Sequence, residues 1–234
     1  MTSLSNGQED FIFPDGFGIP MRGNDLLTVT TETLNHNVED ANFWVRHEVG
    51  LDYRKNTGGL KPLMTRTVFV ALPFNEKDPY KEPLDPAANS CIPVETKNHT
   101  YDDGKGGKLS GHWVIPPGKS SWRSNINAQL MITDSLRLHA AATHVHPFST
   151  SLSVFDKTAG KEVLRSTMEN YTNKTGLKSV SGFASEQGIW LYKNHEYELR
   201  QECNNTTGID QDMMGSMFLF FYDKELDGII RSKK

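Results

Sequence analysis

With only two cysteines, Cys91 and Cys203, in 234 residues, this chain cannot rest on the disulfide framework that holds many small secreted domains together. The two thiols could pair in an oxidising compartment or stand unrelated, and the sequence leaves both open. No Lys/Arg run accompanies the formal net charge of −4, which argues against nucleic acid or an anionic membrane surface as partner. Long hydrophobic runs are also missing. The longest, Met217 to Tyr222, is far shorter than the roughly 20 residues of a spanning helix. The first ten residues are polar and lack a basic stretch followed by an apolar one, so no signal peptide is visible. There is no Gly-rich phosphate loop between a strand and a helix, no Gly-x-Ser-x-Gly elbow and no Cys-x-x-Cys pair. Nucleotide chemistry, serine hydrolysis and thioredoxin-like redox therefore have no support.

What the chain does have is alternation. Apolar residues recur with period two almost everywhere and no long helical stripe is found, which predicts an all-β fold. The candidate strands are Leu26 to Leu34, Phe43 to Asp52, Met64 to Leu72, His112 to Ile115, Ser135 to His146, Ser151 to Phe155, Val163 to Thr167, Val180 to Ala184, Tyr197 to Glu202 and Gly215 to Tyr222. Residues 156–160, Asp-Lys-Thr-Ala-Gly, read as a hairpin turn. Many short strands separated by loop signals suggest a jelly-roll β-sandwich. The Pro-, Asn/Asp- and Gly-rich stretch 73–111 reads as a linker or long loop. It separates a first group of strands, 1–72, from a second unit, 112–223, with a charged and frayed tail at 224–234. Five Asn-x-Ser/Thr matches, at Asn98, Asn170, Asn173, Asn204 and Asn205, matter only in a secretory pathway and otherwise mark polar loops.

The densest chemistry lies at residues 136–146, an apolar-patterned strand ending in His144-x-His146. By simple alternation Leu136, Leu138, Ala140, Ala142, His144 and His146 share one face, with Arg137, His139 and Thr143 on the other. Two strand residues separate the imidazoles by roughly 6.6 Å, so both rings can converge on one ion if a third ligand arrives from a neighbouring strand. The segment 212–222, apolar on both faces, reads as a buried strand that opens with Met213 and Met214. Two imidazoles and a thioether form a soft, mixed donor set that suits copper, Cu(I) especially, better than zinc, magnesium or calcium. Most buried methionines are simply core filler.

The order His-x-His, a Cys-containing strand, Asp212-x-Met214 and an aromatic terminal strand resembles the second domain of the copper type II, ascorbate-dependent monooxygenases. That family includes peptidylglycine α-hydroxylating monooxygenase and dopamine β-monooxygenase. The segment 114–118, Val-Ile-Pro-Pro-Gly, looks like the family's entry into this domain. The resemblance implies one copper held by His144, His146 and Met214, with Met213 as the alternative. It also implies O2 and an external reductant such as ascorbate. Residues 26–72 resemble the closing strands of the family's first domain, whose electron-donating copper needs an adjacent His-His pair that this chain lacks. His36 lies near the place of that site's third histidine, but the register favours Glu32 or Thr33.

The departures narrow the chemistry further. Ala142 stands where the family's peptide hydroxylases carry a carboxylate-binding arginine, and Ser216 and Phe218 replace an asparagine and a tyrosine, so a peptidylglycine substrate is not implied. Gly215 stands where the partner of the cysteine matching Cys203 would be, which removes that disulfide and leaves Cys203 to pair with Cys91 or to stay free. His47, His99 and His112 read as ordinary histidines, His139 is excluded by parity, and His195 falls in an exposed turn. Asp210 and Asp212 read as solvated loop carboxylates that could steer a cation. Two functions follow as expectations: a copper monooxygenase acting on a substrate C–H, or a non-catalytic copper-binding or carrier module. The expected partners are a small-molecule substrate or an electron donor, and copper use suggests an extracytoplasmic site.

Overall fold

The computed structural model describes residues 2–31, 33, 37–38, 44–55, 59–74 and 100–232. Within them the regular structure is mostly β. In order, the strands are β1 (Phe17–Gly18), β2 (Lys61–Phe69), β3 (Leu72–Pro73), β4 (Thr100–Asp102), β5 (Lys108–Ser110), β6 (His112–Ile115) and β7 (Gly118–Asn125). After the single turn of helix α1 (Asn127–Leu130) come β8 (Leu136–Val145), β9 (Ser149–Asp156), β10 (Lys161–Asn170), β11 (Leu177–Val180), β12 (Phe183–Leu191), β13 (Tyr197–Asn205) and β14 (Gln211–Tyr222), and the chain closes with α2 (Lys224–Ser232).

The strands form a six-stranded sheet ordered β1-β2-β14-β8-β12, with β6 also pairing β14, and a five-stranded sheet ordered β11-β10-β9-β13-β7. The short strands β3, β5 and β4 make a third sheet. One apolar core lies between the two larger sheets. It takes Leu138, Ala141, Val145, Met213, Met217, Leu219 and Phe221 from one, and Leu152, Val154, Leu164, Met168, Leu199 and Cys203 from the other. A second, smaller core lies on the outer face of the six-stranded sheet. Phe17, with Phe11 and Phe13 packed beside it, covers Ala140, Ala142, Phe218, Phe220 and Leu63 there. Burial on both faces explains why residues 217–222 are continuously apolar rather than alternating.

Two cores on one sheet correct the simple parity of residues 136–146. The ladder pairs Phe220 with Ala140 and Phe221 with Leu138, which leaves His139 as an extra residue, a β-bulge. Leu138 therefore faces the inner core while Ala140 and Ala142 face outward. His139 does not point away from the outer face as alternation predicts: its ring stacks on Phe17 at 4.0 Å between centroids.

Other expectations also change. Among the described residues of 26–34 and 43–52 there is no strand; Leu26 is 91% exposed, because alternation forms a strand only where a neighbouring ladder exists to join. The strand expected at Met64 to Leu72 runs Lys61–Phe69 and is hydrogen-bonded along β14, in the same sheet as β8. The expected linker 73–111 contains β4 and β5 at its end, whereas 75–99 lies outside the described residues. The stretch Val180 to Ala184 is not one strand: Val180 ends β11, Phe183 and Ala184 open β12, and only 181–182 lie between them. The tail is not frayed through 232: α2 is tied down where Asp227 accepts hydrogen bonds from Tyr222 Oη at 2.7 Å and Arg231 Nε at 2.9 Å.

Candidate metal centre

Register brings the expected ligands together. β14 runs antiparallel to β8 with Gly215 opposite Val145 and Ser216 opposite His144, and paired residues project to the same side. Continuing that register sets Met214 across from His146. On its other edge β14 pairs with β6, where Met214 lies opposite His112. His144, His146, Met214 and His112 thus occupy one end of the outer face. The ring centroids of His144 and His146 are 5.8 Å apart, and those of His112 and His146 are 6.3 Å apart. Met213 points the opposite way, fully buried in the inner core, with its sulfur 3.0 Å from Gln201 Nε2.

The turn after His146 is built to hold it. Phe148 sits at φ +74°, a left-handed conformation that an aromatic residue adopts only when its surroundings impose it. Here Asn170 does so: its Oδ1 accepts the Phe148 N–H at 2.6 Å, and its Nδ2 donates to the Ser149 carbonyl at 2.8 Å. Asn204 N–H donates to the Phe148 carbonyl at 2.8 Å, so β10 and β13 both pin the turn.

Burial favours a neutral ring at His144. Burial, and secondarily the neighbouring His146, pushes the His144 pKa down to about 4, so the ring is uncharged at neutral pH. Its Nδ1 lies 2.9 Å from Ser5 Oγ, which belongs to the N-terminal segment crossing this face. His146 Nδ1 meets Asp212 Oδ2 at 2.5 Å. That contact orients the ring through Nδ1, the carboxylate–histidine pairing common behind metal ligands.

Sequence reasoning missed two of these residues. His112, read as ordinary, is 3% exposed and lies beside His146. Its signal was its place two residues before the Val-Ile-Pro-Pro-Gly segment, which becomes meaningful only once the β6–β14 register is known. Asp212, read as a solvated loop carboxylate, is the second residue of β14. The turn histidine His195 is not simply solvated either: its Nδ1 lies 2.7 Å from Asp156 Oδ2, far from the candidate centre. His47 is exposed and contacts Thr33. Cys203 is a buried free thiol whose pKa burial pushes up to about 12, while Cys91, His99, His36 and Glu32 lie outside the described residues. Among the sequon asparagines, Asn170 is used in the turn clamp, and Asn205, 1% exposed, donates to the carbonyls of Ile115 and Ile209.

Among the described residues no three His, Cys, Asp or Glu side chains already stand arranged about one ion. The Met214 thioether lies outside those residue types. A shallow depression of about 160 Å³ beside the site is lined by Pro147, Phe148, Thr175, Gln211 and Asp212. No helix among the described residues is long and apolar enough to cross a membrane. No family model, curated protein or solved structure matches this chain.

Proposed function

We propose that the chain is a jelly-roll copper domain of the copper monooxygenase type, binding one copper through His144, His146 and Met214 and hydroxylating a substrate C–H. The observation that supports this reading is the register, which pairs Met214 with His112 on one edge of β14 and Ser216 with His144 on the other, so that Met214 shares a face with His144 and His146, with Asp212 against His146. The donors are soft, which fits Cu(I). Copper bound here would supply one-electron exchange with O2, and the net reaction takes two electrons from a reductant such as ascorbate, placing one oxygen in the product alcohol and the other in water. The chain's own part is to orient His146 through Nδ1, to hold that ring by the Phe148 turn, and to limit water at His144 with Ser5.

The test is an anaerobic Cu(I) titration against a competing chelator, followed by oxygen uptake with ascorbate and candidate hydrophobic or amine substrates. One tight equivalent that weakens in Met214→Ala, with uptake abolished in His146→Ala, is the expected result; uptake indifferent to His146→Ala overturns the oxygenase reading. A second reading, a copper-binding module without turnover, is favoured by the site's surroundings, where only a shallow depression lined by Pro147, Phe148, Thr175, Gln211 and Asp212 lies beside it and no enclosed cavity of ligand size is seen there among the described residues. Carbon monoxide uptake by the Cu(I) form separates the two, since only an open position accepts it.

A further inference from the structure

Ser5 reaches the candidate centre from 139 positions away in the chain, and a clasp built from its neighbours holds it there. The turn 5–8 closes with the Gln8 N–H donating to the Ser5 carbonyl at 2.9 Å. Inside it Gly7 sits at φ +88°, and a Cβ there would lie 3.1 Å from the Ser179 backbone nitrogen and 3.2 Å from its Cα, so the backbone of β11 leaves no room for a side chain. The Gly7 carbonyl accepts the Val180 N–H at 2.9 Å, which ties the turn to the end of β11. On the other side β12 pairs with β8 only as far as Ala141. Gln8, 6% exposed, takes the place of a ladder partner beyond it, its Oε1 accepting the Thr143 N–H at 3.4 Å. Fastened to both β11 and β8, the turn sets Ser5 Oγ 2.9 Å from His144 Nδ1.

Both expected imidazole ligands therefore meet an oxygen through the same atom: His144 Nδ1 meets Ser5, and His146 Nδ1 meets Asp212 Oδ2 at 2.5 Å. We propose that Ser5 is a positioning residue of the centre, accepting the His144 Nδ1–H and so turning the ring to present Nε2 to copper. This rests on the copper reading above and deepens it: the ligands remain His144, His146 and Met214, and the position for O2 or carbon monoxide stays open. A ligating imidazole almost always donates its other N–H to an oxygen, which fixes tautomer and ring orientation. A serine hydroxyl can fill that role because it accepts with its lone pairs while its own proton turns elsewhere. The bland alternative is that Ser5 merely belongs to a packed segment. Gly7 and Gln8 hold the turn without the Ser5 hydroxyl, so that alternative predicts no change when the hydroxyl is removed.

The test uses the full chain in three forms, the parent, Ser5→Ala and Ser5→Thr. In the metal-free parent at neutral pH, long-range proton–nitrogen NMR of the imidazoles should find the His144 proton on Nδ1. Ser5→Ala should shift those ring signals, and Ser5→Thr, which keeps the hydroxyl, should restore them. Slow amide exchange at Thr143 and Val180 in all three forms should show the clasp intact. In an anaerobic titration Ser5→Ala should bind Cu(I) about tenfold more weakly, the lower end of the loss found with an outer partner of a metal ligand, and Ser5→Thr should match the parent. A proton on Nε2 in the parent, or equal Cu(I) affinity in parent and Ser5→Ala, would overturn the proposal while leaving the three-ligand copper site standing. No Cu(I) binding by the parent would instead overturn the copper reading itself. The tautomer is read without any variant, so a Ser5→Ala protein that loses the clasp still leaves the question decidable.

Discussion

At Gly215 a missing methyl group leaves room for a buried side chain beneath β14. A Cβ there would land on the amide oxygen of Gln201, which is fully buried and whose Nε2 donates to Ser149 Oγ and the Met214 carbonyl at 3.2 and 3.1 Å. The glycine thus makes room for a glutamine that braces β14 from beneath, directly below Met214. Gly215→Ala should lower stability by about 1–3 kcal/mol through overpacking, read as a shift in urea midpoint at unchanged slope; an unshifted midpoint would mean that Gln201 moves aside freely. On the opposite face Asp212 is the counterpart test. Asp212→Asn should weaken Cu(I) binding by about 10–100-fold while the fold stays native, because the amide no longer orients His146 through Nδ1 as firmly. Equal affinities would show that the carboxylate only solvates the strand end. At this scale His144, His146 and Met214 were legible because a strand-end His-x-His and an Asp-x-Met announce themselves in one dimension. His112 and the role of Asp212 were not, since both depend on which strand lies beside which.

Among the elements, the β9–β10 hairpin and the turn before β13 are joined by an acid–base pair. Asp156, 1% exposed, accepts the Ala159 N–H at 2.8 Å inside the 156–160 turn, and its other oxygen meets His195 Nδ1 at 2.7 Å. Burial raises the Asp156 pKa, but the hydrogen bonds from His195 and the turn amides outweigh it and leave the carboxyl below its ordinary value. A carboxyl lowered by folding contributes stability that is complete above its unfolded pKa, about 3.9, and is lost as the pH falls through the lower folded value. The urea midpoint of Asp156→Asn should therefore fall below that of the parent at about pH 6, by up to the roughly 1.5–3 kcal/mol of charged hydrogen bonds, and the gap should close towards about pH 2. A gap that stays constant over that range would mean the charge contributes nothing. The turn itself was readable from its Asp and Gly, whose φ is +64°. The partner His195 was not, because nearly 40 residues separate the two. Strand β7 was invisible for a different reason: as a sheet edge of Gly, Lys, Ser, Trp, Arg and Asn it alternates between exposed and half-buried without an apolar pattern.

Across the described residues the two larger sheets share one core, and a second core forms where the N-terminal segment lies across the outside of the six-stranded sheet. Phe11 and Phe13 pack against Phe220 at 5.3 and 5.0 Å between centroids, Phe17 stacks on His139, Gln8 reaches the Thr143 N–H at 3.4 Å, and Ser5 meets His144. Residues 5–18 are thereby fastened along the face that ends at the candidate centre, whereas 19–31 and 44–55 carry no helix or strand and are almost wholly exposed. That contrast fixes where the chain opens first, since backbone lacking ladder hydrogen bonds and buried contacts is cleaved before sheet. Limited trypsin should cut at Arg22, Arg46 and Arg54 before any site within the two large sheets, with the order read by mass spectrometry of the timed digest. The nicked protein should still run at its original size under native conditions, because fragment 1–22 keeps its aromatic contacts with Ala140, Phe218 and Phe220. Release of that fragment on nicking would mean that covalent continuity, not the outer core, holds it. Cu(I) affinity measured before and after nicking then reports how far Ser5 over His144 shapes the centre: a retained fragment predicts an unchanged value, and a released one predicts a change.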